Sequence, residues 1–337
     1  MYNFLRLASK ALASNLFSLR EPYKLTFAVT YKCNSRCKIC NIWKRKSEKE
    51  LTTEEIRKFF GKNSFPWINL TGGEVFLRND VVDIIKSMKG LYLLNITTNG
   101  TLTEKILKDS NEIKKIVPKF ILSVSIDGPK KFHDEIRGIK CWDRAVETYK
   151  KLRENEIESY VCYTISPYNI NRFEETYEEI KKIVPDLETR DFHLSFYHES
   201  DVYFGNRGGI KRNLKYEKKL EKIFTDFTKL KSGAGPVSFL ERKYMKLVKE
   251  YLETGKSPLP CKALLSSCFI DPQGNVYPCT IFNEKLGNLR EADYDLKKIW
   301  DSEKAKEVRK LIKENKCPGC WTPCEAYQTV LGNLMKA

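Results

Sequence analysis

The sequence predicts an α/β fold built on a parallel sheet, and three observations carry the prediction. Between residues 23 and 197, six strand-like runs alternate with amphipathic helical patterns. Alternation of this kind makes strand-helix units whose helices cover a parallel sheet. A closed eight-fold barrel usually takes about 250 residues, so six units in this span stop short of closure. The third observation is that Cys, Gly, Asn and Ser gather just after these strands, where functional groups of such sheets collect.

Taken in order, residues 3–19 read as an amphipathic helix with Phe4, Leu5, Ala8, Ala11, Leu12 and Leu16 on one side. Such a helix is expected to plug an end or side of the barrel. The alternative is peripheral contact with an anionic membrane. Strands read at 25–30, 67–71, 92–97, 120–126, 160–165 and 192–197. Between the first two, a helix at 52–60 opens with the capping-box pair Thr52 and Glu55.

Beyond the sixth strand, residues 205–250 hold thirteen Lys and Arg against five Asp and Glu, about half of the chain's formal charge of +16. Two helical stripes run through this segment, Leu220, Ile223, Phe224, Phe227 and Leu230, then Leu240, Tyr244, Leu247, Val248 and Tyr251. These face a core, with lysines on the solvated sides. No nucleic-acid motif accompanies the charge, so nucleic acid ranks behind steering of an anionic substrate. The Pro258-Leu259-Pro260 run marks a boundary. A hairpin follows at 269–279, then two short helices and the closing run Cys317 to Cys324.

The chain has 337 residues and eleven cysteines, in two groups at 33–40 and 261–324 with only Cys141 and Cys162 between. That grouping points to metal in a reducing compartment rather than a disulfide framework. No run approaches the roughly 20 apolar residues that span a bilayer, and no signal-peptide pattern is present. A cytoplasmic location is the expectation.

Cys33, Cys37 and Cys40 form a C-x3-C-x2-C loop directly after the first strand. Soft thiolates select iron-sulfur clusters, Cu(I) or zinc, and structural zinc normally takes four protein ligands. Three close thiols without a nearby fourth Cys or His fit a cubane cluster with one open iron. Thr71-Gly72-Gly73-Glu74 follows the second strand and Asn99-Gly100 ends the third. Ser125 ends the fourth strand, and Arg137 stands twelve residues further on.

This combination resembles the radical S-adenosylmethionine (SAM) enzymes. The resemblance implies a partial (β/α)6 barrel of the TIM type, with a [4Fe-4S] cluster on Cys33, Cys37 and Cys40 whose open iron chelates SAM. It further implies contacts to SAM from Gly72, Gly73 and Glu74, from Asn99, from Ser125 and Arg137, and from Ile39, where the family often has an aromatic residue. The cluster takes its electron from a reductant such as ferredoxin or flavodoxin. The plain alternative for Arg137 is an ion pair with Asp134 or Glu135, with His133 at the surface.

The C-terminal cysteines resemble the SPASM and twitch extensions of the same family. Cys261, Gly274 and Cys279 fit C-x9-15-G-x4-C, while Cys317-x2-Cys320-x3-Cys324 departs from the full SPASM spacing. At least one auxiliary [4Fe-4S] cluster is implied, on Cys261, Cys279, Cys317 and Cys320, with Cys268 and Cys324 as substitutes. A zinc ribbon is the alternative. The resemblance divides the chain into an N-terminal helix (1–22), a radical SAM barrel (23–230), a helical connector (231–260) and a SPASM/twitch-like hairpin-plus-helix domain (261–337). Within the loop 197–209, His198, Glu199 and Tyr203 are the candidate proton acceptors for a peptide or small-molecule substrate. The competing reading of the whole is a zinc-binding, basic nucleic-acid adaptor on an α/β scaffold.

Overall fold

The first six strands are β1 (Lys24–Ala28), β2 (Trp67–Thr71), β3 (Leu93–Thr98), β4 (Lys119–Ser125), β5 (Ser159–Ile165) and β6 (Phe192–Phe196). All are parallel and lie within two residues of their predicted positions. The computed structural model describes residues 2–210, 213–230 and 235–334. Residues 1, 231–234 and 335–337 of the predicted segments, and Lys211 and Arg212 of the basic segment, lie outside the described residues.

Three further strands follow, β7 (Ser267–Ile270), β8 (Asn275–Tyr277) and β9 (Gly287–Asn288). The sheet order is β6-β5-β4-β3-β2-β1-β7-β8-β9. It is open at β6 and β9, so the fold is a partial (β/α)6 barrel. Strand β7 pairs parallel with β1, Leu25 opposite Cys268, and β8 and β9 continue antiparallel. The expected C-terminal hairpin is therefore an extension of the barrel sheet. Gly274, at φ +82°, makes its turn.

The helices are α1 (Tyr2–Leu16), α2 (Thr53–Lys62), α3 (Val81–Ser87), α4 (Thr103–Ile116), α5 (Lys130–Arg137), α6 (Trp142–Glu154) and α7 (Phe173–Lys181). After β6 come α8 (Leu214–Leu230), α9 (Pro236–Lys246), α10 (Val248–Thr254), α11 (Leu296–Trp300), α12 (Glu303–Lys313) and α13 (Pro323–Leu331). The predicted capping box at α2 is formed, Thr52 Oγ1 accepting from the Glu55 amide and Glu55 accepting from the Thr52 amide.

Strand alternation sets up the interior. Outward residues such as Phe27, Leu70, Ile96, Leu122, Tyr163 and Phe192 are buried under the helices. Inward positions carry Thr71, Asn95, Thr97, Ser123, Thr164 and Ser195, which line a central cavity. One face of each strand thus builds the core while the other builds a polar wall.

Helix α1 closes the amino end of the barrel. Ala11 packs against Tyr23 and Trp67, Asn3 Nδ2 donates to Leu91 O at 3.2 Å, and Asn15 Nδ2 donates to Leu331 O at 2.8 Å. The plug is as expected, and most of its predicted side faces the barrel: Phe4, Ala8, Ala11 and Leu12 line the central cavity. Leu5 and Leu16, at the edge of that side, are instead 55% and 65% exposed, because the contact with Tyr23 and Trp67 runs through Leu7 and Ala11. The second basic helix also differs. It breaks at Leu247 into α9 and α10, which keeps both Tyr244 and Tyr251 in the core. In the first, Leu220, Phe224 and Phe227 are buried and Leu230 is 60% exposed.

An ion pair fastens the C-terminal extension to the barrel. Arg290 donates to both Glu55 oxygens, at 2.5 and 3.0 Å, and Tyr294 Oη donates to Glu55 at 2.9 Å. These bonds, led by Arg290, lower the Glu55 carboxyl from its ordinary 4.5 to about 2. A carboxyl depressed on folding contributes stability above its unfolded value and loses it as pH falls through the folded one. Denaturant midpoints measured against pH should therefore show wild type above Glu55→Gln at neutral pH. The two should converge between pH 4.5 and about 2.

Candidate active site and auxiliary metal centre

The loop after β1 crosses the carboxyl ends of β2 and β3. Gly73 N donates to Thr30 O at 2.7 Å and Glu74 N to Lys32 O at 2.8 Å. A Cβ on Gly73 would stand 2.1 Å from Lys32 O, and one on Gly72, at φ +152°, 2.5 Å from Thr30 O. The paired glycines therefore admit the cysteine loop itself, in addition to the contact with SAM that the resemblance implies. Gly72 and Gly73 also line the cavity.

Glu74 is fully buried. Its carboxylate accepts from Thr98 Oγ1 at 2.8 Å, Asn99 N at 2.7 Å and Phe76 N at 3.2 Å, and burial raises its pKa. It knits β2 to β3 behind the cavity wall. Asn99 carries the connection onward, donating from Nδ2 to Asn34 Oδ1 at 2.7 Å and Ser35 Oγ at 3.1 Å. Two residues of the cysteine loop are thus pinned to a strand end.

On the far side, Arg36 N and Lys38 N donate to Arg137 O and Ile136 O, both at 2.8 Å. Gly138, at φ +68°, permits this, since a Cβ there would meet Arg36 O at 2.5 Å. Arg137 Nη2 lies 2.6 Å from Asp127 Oδ2, and Nη1 lies 3.9 Å from Cys37 Sγ. Its partner is neither Asp134 nor Glu135. Asp134 accepts from the Cys141 and Trp142 amides at the start of α6, and Glu135 pairs with Lys38. Nor is His133 at the surface. It is fully buried, Nδ1 accepting from Asp127 N at 3.1 Å and Nε2 lying 3.2 Å from Cys141 Sγ, and burial holds its pKa well below the usual value. His133 therefore positions the aspartate that positions Arg137.

Cys33, Cys37, Cys40, Ile39, Asn99, Ser125 and Arg137 all line one cavity of about 840 Å³. Burial pushes the Cys33 thiol up to about 11 and the Cys40 thiol up to about 12. Sulfurs so desolvated become thiolates only beside strong positive charge, as iron provides. His198 and Tyr203 reach the same cavity, whereas Glu199 is half-buried and does not line it. Both His198 nitrogens are engaged: Nδ1–H donates to Phe196 O at 2.9 Å, and Nε2 accepts from Trp321 N at 3.3 Å. Tyr203 Oη donates to Gly72 O at 3.1 Å and meets Thr71 Oγ1 at 2.5 Å.

Cys261, Cys279, Cys317 and Cys320 meet at a second, small cavity of about 20 Å³. Amides of Ala263 and Phe282 donate to Cys261 Sγ at 3.4 Å and Cys279 Sγ at 3.3 Å, as is common for ligated sulfur. Burial pushes Cys261 up to about 12 and Cys279 and Cys320 well above their ordinary value. The tight turn between Cys317 and Cys320 depends on Gly319, φ +74°, where a Cβ would strike Gly255 O at 2.2 Å. Cys268 lies instead within β7, and Cys324 lines the central cavity. Four thiols alone would suit zinc as well as iron and sulfide.

Residues 27–180 match the family model described as the Radical SAM superfamily, and residues 261–325 match SPASM, an iron-sulfur cluster-binding domain. The chain is a radical SAM enzyme with a C-terminal SPASM domain. It is 26% identical over 328 residues to the AdoMet-dependent heme synthase of Nitratidesulfovibrio vulgaris, covering 91% of this chain and 86% of that one. To the antilisterial bacteriocin subtilosin biosynthesis protein AlbA of Bacillus subtilis it is 25% identical over 332 residues, covering 90% and 66%. Among solved structures, AdoMet-bound anSMEcpe superposes with a TM-score of 0.64 at 18% identity, over 94% of this chain and 97% of that one. Streptococcus suis SuiB bound to S-adenosylmethionine gives 0.60 at 18%, over 100% and 79%. These likenesses show the shared fold.

A radical SAM enzyme with a SPASM domain uses SAM, a SAM-binding [4Fe-4S] cluster and auxiliary iron-sulfur, and the two thiol sets fit those cofactors in number and softness. Sequence reasoning missed Asp127, His133, Asn34 and Trp321, which act by fixing other residues. A strand-end aspartate just before a helix is the only trace of them that a sequence carries. The β2 glycines supply a direct check. Gly73→Ala should destabilise the fold by about 1–3 kcal/mol in thermal or denaturant unfolding, and the purified variant should hold fewer irons per chain than wild type.

Proposed function

We propose that Cys33, Cys37 and Cys40 ligate the SAM-binding cluster, that Ile39, Gly72, Gly73, Glu74, Asn99, Ser125 and Arg137 shape the SAM site, and that Cys261, Cys279, Cys317 and Cys320 hold one auxiliary cluster. The reaction is abstraction of a hydrogen atom from a peptide or small molecule held in the barrel. One observation carries this reading: a single cavity joins the three loop thiols to the polar inner wall of the barrel. Bound SAM and its cluster, reduced by a ferredoxin or flavodoxin, supply a 5'-deoxyadenosyl radical.

The chain's own residues do the rest. Asp127 fixes the planar Arg137 fork, which suits a carboxylate. Asn99 and Gly138 hold the cysteine loop from two sides. Tyr203 anchors the Gly72 carbonyl, and His198 ties the end of β6 to Trp321, the residue after Cys320.

Relatives of two kinds support both substrate classes. AlbA serves bacteriocin biosynthesis, SuiB is seen bound to the precursor peptide SuiA, and anSMEcpe to the Cp18Cys peptide. The heme synthase relative speaks for a small molecule. An anionic substrate gains no support from the cavity. Among the described residues, its charged lining residues Arg137 and Lys119 are each paired, with Asp127 and Glu158, and the basic segment lends it Pro236, Val237 and Leu240. The zinc-dependent nucleic-acid adaptor finds no support either.

Anaerobic reconstitution tests the reading. The protein should take up iron and sulfide and, with SAM and reductant, release 5'-deoxyadenosine and methionine. Uptake of zinc alone, with no deoxyadenosine, would overturn it. Cys33→Ala should abolish SAM cleavage. Cys317→Ala should retain it but lose turnover of any co-purified molecule whose mass wild type changes, and equal loss in both variants would make the C-terminal cluster structural.

A further inference from the structure

Deep in the central cavity, away from the cysteine loop, lies a histidine that the function above does not use. His193 faces inward from β6 and lines the cavity, its side chain 15% exposed. Its ring stacks on Tyr160 with centroids 3.9 Å apart. Nε2 stands 3.0 Å from Oε1 of Glu241, near enough for charge attraction although out of line for a hydrogen bond, and α9 carries this carboxylate into the interior, where Glu241 is 4% exposed. Nε2 is buried without a hydrogen-bond partner, and no hydrogen bond reaches Nδ1 among the described residues. The other two histidines have both ring nitrogens engaged.

Strand register sets the distance of this pair from the proposed SAM site. Ser125 pairs with Cys162, and Cys162 with His193, so His193 lies in the row of the wall that begins at Ser125. Two strand spacings separate them, about 10 Å. The wall between consists of neutral hydroxyls and a thiol. Among the described residues, His193 is the imidazole of this wall whose hydrogen-bonding capacity is still open.

We propose that His193, oriented by Glu241, is the polar anchor for the substrate, accepting a hydrogen bond at Nδ1 from an N–H or O–H group. A buried carboxylate 3.0 Å from Nε2 attracts the ring proton to that nitrogen, which leaves Nδ1 as the acceptor. Tyr160 holds the plane of the ring. A substrate that lacks a donor would leave this nitrogen desolvated and unpaired, which costs affinity, so the pair selects amide, amine or hydroxyl groups over carboxylates. Glu241 is a positioning residue in this arrangement. The inference rests on the barrel being the substrate chamber.

The test labels the SAM-bound holoenzyme with diethyl pyrocarbonate and locates the adducts by mass spectrometry, with acetamide and acetate as isosteric probes that do and do not donate. His193 should label ahead of His133 and His198. Acetamide should slow that labelling by about threefold or more, while acetate leaves it unchanged. Glu241→Gln should remove the acetamide protection and Glu241→Asp should restore it, a pattern that a merely structural role does not produce. Labelling of His193 no faster than the other two, or equal protection by the two probes, overturns the anchor, and the wild-type protein alone decides this. Failure of the same preparation to form 5'-deoxyadenosine would instead overturn the reading of the enzyme's function.

Discussion

The carboxyl end of this barrel depends on backbone passing very close to backbone. The cysteine loop lies on the β2 turn with no room for a Cβ at Gly72 or Gly73, and on the end of α5 with none at Gly138. Amide-to-carbonyl bonds hold both edges, and Asn99 holds Asn34 and Ser35 from the β3 end. Three thiols can share one small volume because the loop is clamped on all these sides.

Behind the clamp stands a layer of buried polar groups that never reach the cavity. Glu74 receives three hydrogen bonds, Asp127 is pinned between Arg137, His133 and the Thr164 amide, and His133 closes on Cys141. Buried ionised groups persist only when so partnered. Their effect is to make the positions of Arg137 and Asn99 single-valued, which a site handling a radical requires.

The C-terminal SPASM module is joined to the barrel by the β1–β7 ladder and the Glu55–Arg290 pair. His198 accepts from Trp321, so the end of β6 and the cysteine turn of the module move as one piece. The auxiliary thiols and the reaction chamber are thereby held in a fixed relation by short polar contacts.

Six parallel strands, their order along the chain, both cysteine sets and the capping box at α2 were legible in the sequence, because each depends on local periodicity or close spacing. Cys261, Cys279, Cys317 and Cys320, favoured from spacing among six C-terminal cysteines, line one small cavity. The edge of the α1 stripe was not legible, since Leu5 and Leu16 continue the apolar side formed by Phe4, Ala8, Ala11 and Leu12 yet stay exposed. The Asp127–Arg137 pair, the burial of His133, the engagement of His198 and the meeting of His193 with Glu241 join residues 6 to 123 positions apart. Tertiary structure alone decides such pairs, because they arise where strand register and helix packing bring distant side chains to one wall. The sequence by itself determined which chemistry the chain can hold, through ligand type and local spacing; the fold decided which residues face it.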